Sequence, residues 1–436
     1  MMQHSSSLPF FYGCLVLFTI FVVFFEEHEE QTFHMMDYTS DASGGFRSPK
    51  IWEQLPQEND NTNNDTIKIT LPVGEGNLKK DAAPTVYLEE MPKEFCFPEE
   101  GLDLRDPKLK KILIWNSGYG TKTMSFGYGR APFQRAKCEE DRCMTTSNAT
   151  LLPSVTDFDA VIFHFRATER LQMPKRRSPH QRWIFEEVES SSYIYQDPAK
   201  YNGLFNWTMT YRRDSDIVYT YGRVYSSPTP SSVSKDKNFA EGKTKMAAWF
   251  VSNCYSHSKR ERIVKGLQKF IKVDIYGKCG PLECPRANTR LCYQMLEESY
   301  KFYFSFENSL CKDYVTEKLF SVLKYNVVPV VYGLGNYALI APPGSYIDAL
   351  SFPSVESLAK YLKYLDGNDT AYNEYFRWKG QYTIDSGWSN TAQGFCDLCK
   401  KLHQDTTPKV YRDIKDWFML RGGCKTLKSR SWLPWL

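Results

Sequence analysis

The stretch that decides the fold runs from Lys301 to Leu323 and reads KFYFSFENSLCKDYVTEKLFSVL. Its first part has an aromatic residue at every second position, Phe302, Phe304 and Phe306, and this alternation is typical of a β-strand. After Ser309 the apolar residues change to helical spacing and are Val315, Leu319, Val322 and Leu323. The stretch therefore predicts a strand that leads into a helix.

Polar residues lie where the predicted strand meets the predicted helix. Ligands of α/β proteins bind at such junctions, because the carboxyl end of the strand and the free amides of the helix face the same side. Glu307, Asn308 and Ser309 close the strand, and either Asp313 or Ser309 could cap the helix. The junction is therefore the first candidate for a binding site.

Three side chains of the predicted helix would share one face, because Tyr314, Glu317 and Lys318 have i, i+3 and i+4 spacing. An ammonium group beside free helix amides suits a diphosphate, and a carboxylate suits sugar hydroxyls. The predicted ligand is a nucleotide sugar. For an arbitrary pair such as Glu317 and Lys318, two solvated surface charges would be the more common explanation.

The same stretch resembles the signature of a known family. Phe304-Ser-Phe-Glu-Asn-Ser309, followed by Lys312-Asp-Tyr-Val-Thr-Glu-Lys-Leu319, is similar to the signature of the α1,3-fucosyltransferases, glycosyltransferase family 10. The resemblance implies an α/β protein of the GT-B type, with two facing Rossmann-like domains and the active site between them. It also implies GDP-fucose as the donor substrate and no tightly bound cofactor. The donor-binding residues that it implies in this stretch are Asn308, Tyr314, Glu317 and Lys318.

The N-terminal part of the chain predicts a membrane anchor. Residues 8–25 are uncharged and apolar, and their length is just sufficient to cross a thin membrane of the secretory pathway. A cleaved signal peptide is the alternative, but its apolar region would be shorter and would be followed by small residues, unlike Phe24, Phe25 and Glu26. We therefore expect residues 1–7 to be a cytosolic tail and the apolar segment to be an uncleaved signal-anchor.

The rest of the chain has features of the secretory lumen. Eleven cysteines follow Cys14, as expected in an oxidising compartment. Four N-glycosylation sequons begin at Asn64, Asn148, Asn206 and Asn368. Together with the anchor and the family resemblance, these features predict a single-pass type II protein of the Golgi membrane with a lumenal catalytic region.

Beyond the anchor, composition divides the chain into a stem and two domains. Residues 26–105 are polar with little periodicity, so we expect a flexible stem. The remainder is too long for one ordinary core, and its short apolar runs predict buried parallel strands. These runs are Lys111–Trp115, Ala160–His164, Arg182–Phe185, Ile217–Tyr219, Lys245–Asn253, Val273–Tyr276 and Asn326–Gly333. A Ser- and Pro-rich linker near 227–234 predicts a domain boundary. We expect an acceptor-side Rossmann-like domain at 106–234 and a GDP-fucose-binding Rossmann-like domain at 235–395. A Cys-containing tail follows at 396–436.

A second resemblance to the same family lies in the first domain. Gln181-Arg182-Trp183-Ile184, followed by Val188-Glu189-Ser190, is similar to the segment that carries the family's general base, and this resemblance makes Glu189 the candidate catalytic residue. An inverting glycosyl transfer needs such a base to take the proton of the acceptor hydroxyl. From the residues alone, Glu186, Glu187 and Glu189 are equivalent candidates.

The second domain supplies a candidate cation for the donor diphosphate. Arg260 matches the arginine with which the family binds this group, and Arg262 is a near alternative. An inverting enzyme without a metal must stabilise the departing GDP with fixed cations, and Arg260 together with Lys318 would do so. The helical spacing of the apolar residues that follow predicts a helix over Arg260–Phe270.

An Asp-x-Asp pair at Asp214 and Asp216 resembles a metal-binding motif. Because Arg212 and Arg213 precede it, we expect the carboxylates to be paired with guanidinium groups, and we predict no essential metal ligand. Stimulation by Mn²⁺ is compatible with this expectation.

Cysteine spacing gives three further expectations. Cys138 and Cys143 are close enough for a local disulfide. Cys396 and Cys399 form a Cys-x-x-Cys motif that a lumenal location assigns to structural disulfides rather than to zinc. Since eleven lumenal cysteines cannot all pair, one thiol is expected to be free, and Cys311 is the candidate.

The predicted function is inverting transfer of L-fucose from GDP-fucose to the 3-hydroxyl of an N-acetylglucosamine on glycoproteins. The favoured acceptor is the innermost residue of an N-glycan, because the long acidic stem and the Cys138–Cys143 region with Thr145-Thr146 resemble invertebrate and plant core enzymes. Outer lactosamine acceptors and a catalytically silent glycan-binding protein are the alternatives. The net charge of +4 is too small to indicate nucleic-acid binding, and a homodimer is compatible with the sequence.

Overall fold

The computed structural model describes residues 103–116, 126–167, 173–234, 237–285 and 289–425. The predicted cytosolic tail, the membrane segment and nearly all of the stem lie outside these residues, as does Asn64. Among the helices of the described ranges, none is both long enough and apolar enough to cross a membrane.

Two parallel sheets and a small antiparallel pair account for the strands of the described residues. The strands are β1 (Lys110–Asn116), β2 (Cys143–Thr146), β3 (Ala160–His164), β4 (Arg182–Glu187), β5 (Trp207–Thr210), β6 (Ile217–Val218), β7 (Gly222–Ser226), β8 (Lys245–Phe250), β9 (Val273–Tyr276), β10 (Tyr300–Phe306), β11 (Val328–Tyr332), β12 (Ile347–Asp348) and β13 (Tyr382–Ser386). The first half of the molecule has the strand order β2-β1-β3-β4-β5-β6, and the second half has the order β12-β11-β10-β8-β9. The predicted α/β fold with two parallel sheets is confirmed, although the short apolar runs did not reveal β2, β5, β7, β12 or β13.

The helices alternate with the strands in the second half and return to the first half at the C-terminal end. They are α1 (Ala131–Arg135), α2 (Arg260–Leu267), α3 (Thr289–Ser299), α4 (Glu317–Leu323), α5 (Tyr337–Ile340), α6 (Val355–Asp366), α7 (Asp369–Asn373) and α8 (Trp388–Gln404). The helix predicted over Arg260–Phe270 is α2, which ends three residues earlier. Short 3₁₀ segments complete several connections.

β10 forms the centre of the second sheet, between β11 and β8, and all seven of its residues are buried. Phe304 and Phe306 stack on one face with their ring centroids 4.9 Å apart. On the other face Tyr303 packs in a separate cluster with Leu296 and Val322, which belong to α3 and α4. Helices on both sides of the sheet therefore explain why the aromatic residues of this strand are buried throughout.

α4 begins later than the sequence predicts. Its first residue is Glu317, and the cap is Thr316, whose side-chain oxygen accepts a hydrogen bond from the backbone N–H of Lys318. The predicted caps, Ser309 and Asp313, are therefore wrong. Asp313 instead adopts a left-handed backbone conformation with φ of 62° in the loop before the helix. Because Tyr314 precedes the helix, it does not share a helical face with the other two candidates.

The disulfides differ from the expected pairing. Cys138 bonds Cys396 and Cys143 bonds Cys399, so the predicted local disulfide between Cys138 and Cys143 is wrong. The two bonds instead join α8 to the first half of the chain across more than 250 positions of sequence. Parallel pairing brings these positions together, because β2 carries Cys143 beside β1, and α8 packs against β1.

The remaining described cysteines are also paired. Cys254 bonds Cys279, and Cys284 bonds Cys292. A fifth disulfide joins Cys311 to Cys424, so the prediction that Cys311 is the free thiol is wrong. The remaining cysteine after Cys14, Cys96, lies outside the described residues.

The C-terminal segment packs on the first half. Ala392, Phe395 and Leu398 of α8 share a hydrophobic cluster with Ile114 and Ile162 of the first sheet. The boundary predicted between residues 395 and 396 falls inside this helix. β7 and β13 pair in antiparallel register beside the linker.

Close packing requires a glycine where β7 meets α4. A Cβ atom at Gly222 would lie 2.3 Å from the ring of Phe320. The side chain of Phe320 is buried in a cluster with Val315 and Leu319. The absence of a side chain at this position therefore lets a strand of the first half approach the helix that carries Lys318.

Candidate active site

The candidate base lies just beyond the carboxyl end of β4. The backbone N–H of Ser190 donates to the Oε1 atom of Glu189 at 3.0 Å, which fixes the carboxylate against its own loop. Arg166, which follows β3, forms an ion pair with the Oε2 atom at 3.1 Å. The side chain of Glu189 is 18% exposed. The carboxylate is therefore oriented by its surroundings but open to a ligand.

Groups from the second half reach the same carboxylate. The hydroxyl of Tyr314 donates to the Oε1 atom of Glu189, and the amide of Asn308 lies 3.5 Å from this atom. Next to this contact the hydroxyl of Ser190 donates to Ser309 at 2.6 Å. The segments that the sequence singled out in each half therefore meet around Glu189.

The structure separates the three glutamates that the sequence left equivalent. Glu187 is fully buried, and one of its oxygens accepts the backbone N–H of Glu189 at 2.8 Å. Burial raises the pKa of Glu187 to about 8, so this carboxyl is largely protonated at neutral pH. The carboxylate of Glu186 is held 2.5 Å from a ring nitrogen of His164. Glu189 is thus the one of the three that meets groups of both halves.

His164 and Glu186 form a largely buried ion pair at the carboxyl ends of β3 and β4. Burial alone would lower the pKa of His164, but the carboxylate of Glu186 outweighs it and raises this pKa to about 9. The imidazole is therefore positively charged at neutral pH. Arg166 lies two residues after His164, in the short 3₁₀ segment that follows β3. The edge of the sheet next to the candidate base therefore carries two cations, His164 and Arg166.

Lys318 is held at the first turn of α4 by two carboxylates. Its Nζ atom lies 3.5 Å from Glu307 and 3.1 Å from Glu317, and it donates to the hydroxyl of Thr316 at 2.8 Å. Burial alone would lower the pKa of Lys318, but the charge of Glu307 outweighs it and raises this pKa above its usual value. The ammonium group is therefore charged and fixed in place.

Glu307 is the buried anchor of this group. It is 1% exposed, and its carboxylate accepts hydrogen bonds from both the backbone N–H and the hydroxyl of Thr316. Burial raises its pKa above the usual value. The residue closes β10 and sets where α4 begins, because it satisfies the N–H of the capping residue.

Arg260 begins α2 and points toward the end of β10. It is 3% exposed, its Nη1 atom donates to the carbonyl of Phe306 at 2.6 Å, and its guanidinium lies over the ring of Trp249 at 5.6 Å. Its buried Nε atom has no hydrogen-bond partner in the described part of the chain. The near alternative, Arg262, is exposed on the same helix.

The predicted donor residues therefore divide into two groups. Arg260, Asn308 and Lys318 gather near the end of β10 and offer donors or positive charge, and Glu317 stands beside them with its side chain 55% exposed. Tyr314 is 1% exposed and its hydroxyl is directed at Glu189. The structure thus places Tyr314 with the candidate base rather than on the face of α4.

The Asp-x-Asp pair is occupied by protein groups. Asp214 forms a two-point ion pair with Arg212 at 2.9 and 2.6 Å, as expected. Asp216 differs from the expectation, because it pairs with Lys409 at 2.5 Å and accepts from the hydroxyl of Tyr411 at 2.8 Å. The partners from the C-terminal segment were not predictable, since they lie nearly 200 positions away.

The sequons differ in accessibility. Asn148 is exposed, and Asn368 caps α7 in a half-buried position. Asn206 is 8% exposed, and its amide nitrogen donates to the carbonyl of Lys409 at 2.8 Å. A glycan on that nitrogen would displace a buried contact, so the structure argues against the prediction of glycosylation at Asn206.

Sequence reasoning gave no role to three residues of the site: Arg166, Thr316 and Glu307. Arg166 lies two residues after the predicted strand Ala160–His164, but only the structure shows that it forms an ion pair with Glu189. The contact of Glu307 with Thr316 spans nine positions, and local helix-capping patterns do not predict such a separation.

A cavity of about 300 Å³ lies beside the site, lined by both halves. Its walls include Tyr211 and Arg223 from the first half and Phe320 and Leu339 from the second. Glu189 is not among the lining residues. The ring of Tyr211 contacts that of Tyr314 at 5.0 Å, so aromatic rings separate the cavity from the candidate base.

Two family models match this chain. The model described as "Fucosyltransferase, N-terminal" matches residues 107–222, and the model described as "Glycosyltransferase family 10 (fucosyltransferase) C-term" matches residues 240–417. The matched segments correspond to the two sheets, and the second one also includes α8.

Curated relatives match over most of the chain. Alpha-(1,3)-fucosyltransferase C of Drosophila melanogaster is 36% identical over 349 residues, covering 74% of this chain and 80% of the relative. Glycoprotein 3-alpha-L-fucosyltransferase A of the same organism is 38% identical, covering 74% of this chain and 63% of the relative. The 3-galactosyl-N-acetylglucosaminide 4-alpha-L-fucosyltransferase of Bos taurus is 38% identical, covering 63% of this chain and 74% of the relative.

Proposed function

Because this chain belongs to glycosyltransferase family 10, the fucosyltransferases, we propose that it transfers L-fucose from GDP-fucose to the 3-hydroxyl of an N-acetylglucosamine on glycoproteins. The reaction inverts the anomeric centre. The observation that carries the proposal is the contact of Glu189 with Tyr314 and Asn308, which joins a base candidate of the first half to the donor segment of the second. The two halves would face each other as in the GT-B architecture.

Glu189 is the proposed general base. It would take the proton of the acceptor hydroxyl while the oxygen attacks C1 of fucose, and the bond between C1 and the β-phosphate oxygen breaks. Its ion pair with Arg166 and the hydrogen bond from Ser190 hold the carboxylate at a fixed angle. Such fixed geometry supports this role, because a proton acceptor must stand within hydrogen-bond reach of the attacking hydroxyl.

Arg260 and Lys318 are the proposed cations for the diphosphate. The positive charge of both groups would stabilise the departing GDP without a metal ion. The buried Nε atom of Arg260 that has no partner among the described residues is a donor available for a phosphate oxygen. Asn308 and Glu317 would complete the donor site. Mn²⁺ could stimulate the reaction but would not be essential.

The favoured acceptor is the innermost N-acetylglucosamine of an N-glycan. A relative named as a glycoprotein 3-α-L-fucosyltransferase supports this acceptor class. The alternative, an outer lactosamine unit, has support from a relative of Gorilla gorilla gorilla named 4-galactosyl-N-acetylglucosaminide 3-alpha-L-fucosyltransferase, which is 35% identical. The two alternatives share the same chemistry at Glu189 and differ in the sugar that carries the hydroxyl.

A direct experiment distinguishes these acceptors. The full-length protein, solubilised in detergent, is incubated with GDP-fucose and a glycopeptide that carries both a core and a lactosamine antenna. Mass spectrometry with selective glycosidase digestion then locates the added deoxyhexose. We expect an α1,3-linked fucose on the innermost residue, whereas fucose on the antenna alone would keep the mechanism and overturn the acceptor. Parallel reactions with EDTA test whether a metal is needed.

A catalytically silent glycan-binding protein is the second candidate. The grouping of Glu189, Arg260 and Lys318 favours an enzyme, because a pure binding protein does not need a base next to a diphosphate site. Binding of GDP without transfer of fucose to either acceptor would support the silent protein instead.

The proposed location is the Golgi membrane, with residues 8–25 as a single-pass type II anchor and the catalytic region in the lumen. The five disulfides among the described residues support an oxidising compartment. Protein expressed in a eukaryotic cell should shift in electrophoretic mobility after endoglycosidase treatment, through glycans at Asn64, Asn148 or Asn368. An unglycosylated product would contradict this topology.

A further inference from the structure

Two tyrosine rings stand exposed near the proposed base, one on each half of the molecule. Tyr195 follows the loop of Glu189 and is 69% exposed, and Tyr255 precedes α2 and is 88% exposed. Single exposed aromatic residues are common on protein surfaces. These two differ from such residues in how their backbones are fixed and in what lies between them.

The backbone of Tyr195 is fixed on both sides. Ile194 is 7% exposed and packs in the core of the first half. The side-chain amide nitrogen of Gln196 donates to the carbonyl of Phe165 at 2.5 Å, which ties the residue after Tyr195 to the end of β3. Only the ring of Tyr195 therefore projects, while the chain that carries it is anchored.

The backbone of Tyr255 is fixed in a similar way. Cys254 is bonded to Cys279, so the disulfide holds the residue before it. Ser256 is 1% exposed, and its hydroxyl donates to the carboxylate of Glu261 at 2.9 Å. The exposure of this ring is therefore not the result of a loosely held loop.

Tyr193 connects the two exposed rings to the proposed base. Its hydroxyl accepts from the amide of Asn253 at 2.7 Å, and its ring contacts that of His257 with centroids 4.7 Å apart. These contacts hold the loop of Tyr255 against that of Tyr195. On the other side, the guanidinium of Arg166 lies 5.9 Å from the ring centre of Tyr193 and binds Glu189.

The side chains that contact Tyr193 directly, Asn253, His257 and Arg166, are polar, and each is either neutral or paired with a carboxylate. Arg166 is paired with Glu189. Burial, and to a smaller degree the charge of Lys259, keep the pKa of His257 below its usual value, so this ring is uncharged at neutral pH. Such a surface suits a neutral ligand with both apolar and hydroxyl-bearing faces better than an ionic one.

We propose that Tyr195 and Tyr255 form a carbohydrate-binding rim on which sugar residues of the acceptor stack beyond the attacked N-acetylglucosamine. Each phenol ring offers a flat apolar face to the C–H groups of a sugar, and its hydroxyl remains available for a hydrogen bond. The anchored backbones lower the conformational entropy lost on binding. The inference rests on the proposed function, because it takes Glu189 as the point of attack, and it adds where the remainder of the glycan binds.

The test compares two acceptors with variants of the full-length protein. One acceptor is a peptide that carries a complete neutral N-glycan, and the other is the same peptide with its glycan trimmed to chitobiose. For Tyr195→Ala and for Tyr255→Ala we expect kcat/KM on the complete glycan to fall about tenfold, mainly through KM. Activity on the trimmed peptide and hydrolysis of GDP-fucose by water should stay within about twofold.

Tyr364→Ala is the matched control. This tyrosine is 40% exposed near the end of α6, and the carbonyl of Asp366 in the same helix accepts from Lys301, at the start of β10. Asn308 follows the opposite end of that strand, so Tyr364 lies away from the proposed site. We expect this variant to resemble the unmodified protein on both acceptors.

Three outcomes would overturn the rim. These are unchanged kinetics in both tyrosine variants, an equal loss on the complete and the trimmed glycopeptide, and a loss that affects glycopeptides but not the free complete glycan, which would assign the surface to the peptide. Calorimetric titration of the free glycan tests binding separately from transfer. If no acceptor receives fucose, the proposed function fails, but weaker glycan binding by Y195A and Y255A would still support the rim.

Discussion

Each parallel sheet places a glutamate just beyond a strand that ends at the proposed site, and the two glutamates have opposite surroundings. Glu307 follows β10, is 1% exposed and binds Thr316 and Lys318 of its own half. Glu189 follows β4, is 18% exposed on its side chain and is contacted by groups of both halves. The same residue type at corresponding ends of two sheets thus meets two different environments.

The comparison shows that position at a strand end does not by itself assign a role. A carboxylate can take a proton from a ligand only if the ligand can reach it. Glu307 accepts the N–H of the residue that caps α4 and forms an ion pair with a lysine, so its part is to hold the donor side in shape. Glu189 is oriented by Ser190, Arg166 and Tyr314, but its side chain remains partly open, as a base requires.

The first prediction is the largest and concerns Glu189. Glu189→Gln keeps the size of the side chain and its hydrogen bond from Ser190 but removes the proton acceptor. We expect kcat/KM for fucose transfer to fall by about 10³-fold, since general bases contribute roughly 10² to 10⁴. Binding of GDP, measured by calorimetry, and the thermal midpoint should change little. A variant that retained more than about a tenth of the activity would exclude Glu189 as the base.

Glu307→Gln should instead act on stability. The change removes one charge of a largely buried pair and leaves Lys318 beside Glu317 alone. We expect the free energy of unfolding to fall by about 3 kcal/mol, as in other broken buried pairs, when measured by urea denaturation. Glu317→Gln is the control, because it removes the partner that is 55% exposed and should cost less than about 1 kcal/mol. If both variants lost the same free energy of unfolding, the difference in burial between Glu307 and Glu317 would not determine how much each contributes to stability.

The ion pair of His164 and Glu186 extends the comparison to pH. Burial opposes protonation of His164, but Glu186 raises its pKa from 6.5 to about 9. Because the folded-state pKa lies above the ordinary value, the pair stabilises the fold fully below pH 6.5 and loses this effect as pH rises through 9. We expect the difference in unfolding free energy between the unmodified protein and His164→Gln to shrink over this range, by about 3 kcal/mol at most.

Glu186→Gln provides the control for that measurement. Without the carboxylate, His164 loses the group that raises its pKa, so replacing His164 in this background should give a difference that varies little between pH 6.5 and 9. A difference for His164→Gln that is constant across this range would contradict the role of the pair. On the other half, Lys318 has a pKa above that of an ordinary lysine and remains charged throughout.

Much of the fold was predictable from the sequence, because buried parallel strands need continuous apolar runs. Ala160–His164 and Val273–Tyr276 were predicted with the bounds that the structure has. β5, in contrast, contains two threonines, and β7 begins with a glycine, so neither resembles a buried apolar run. Their pairing depends on neighbours that are distant in sequence.

The site was less predictable, because its contacts depend on tertiary structure. Glu189 could be chosen over its neighbours only through the family resemblance. The pairing of Cys311 with Cys424 depends on a segment that returns from the C-terminal end. The position of Tyr314 depends on where α4 begins, and this is set by the bond from Thr316 to Glu307 rather than by apolar spacing.

The last prediction concerns Tyr314, which the structure moves from the donor face to the base. Tyr314→Phe removes the hydroxyl that donates to Glu189 but preserves the buried ring. If Tyr314 positions the base, kcat should fall about tenfold while KM for GDP-fucose stays constant, since one hydrogen bond to a charged group contributes about 1.5 kcal/mol or more. If it binds the ribose instead, KM for the donor should rise and kcat should be retained.

Tyr221→Phe is the matched control, because that hydroxyl donates to the carbonyl of Val188 at 2.9 Å and not to the carboxylate. A tenfold loss of kcat in both variants would show that packing between the halves, rather than the contact with Glu189, is what the tyrosines provide.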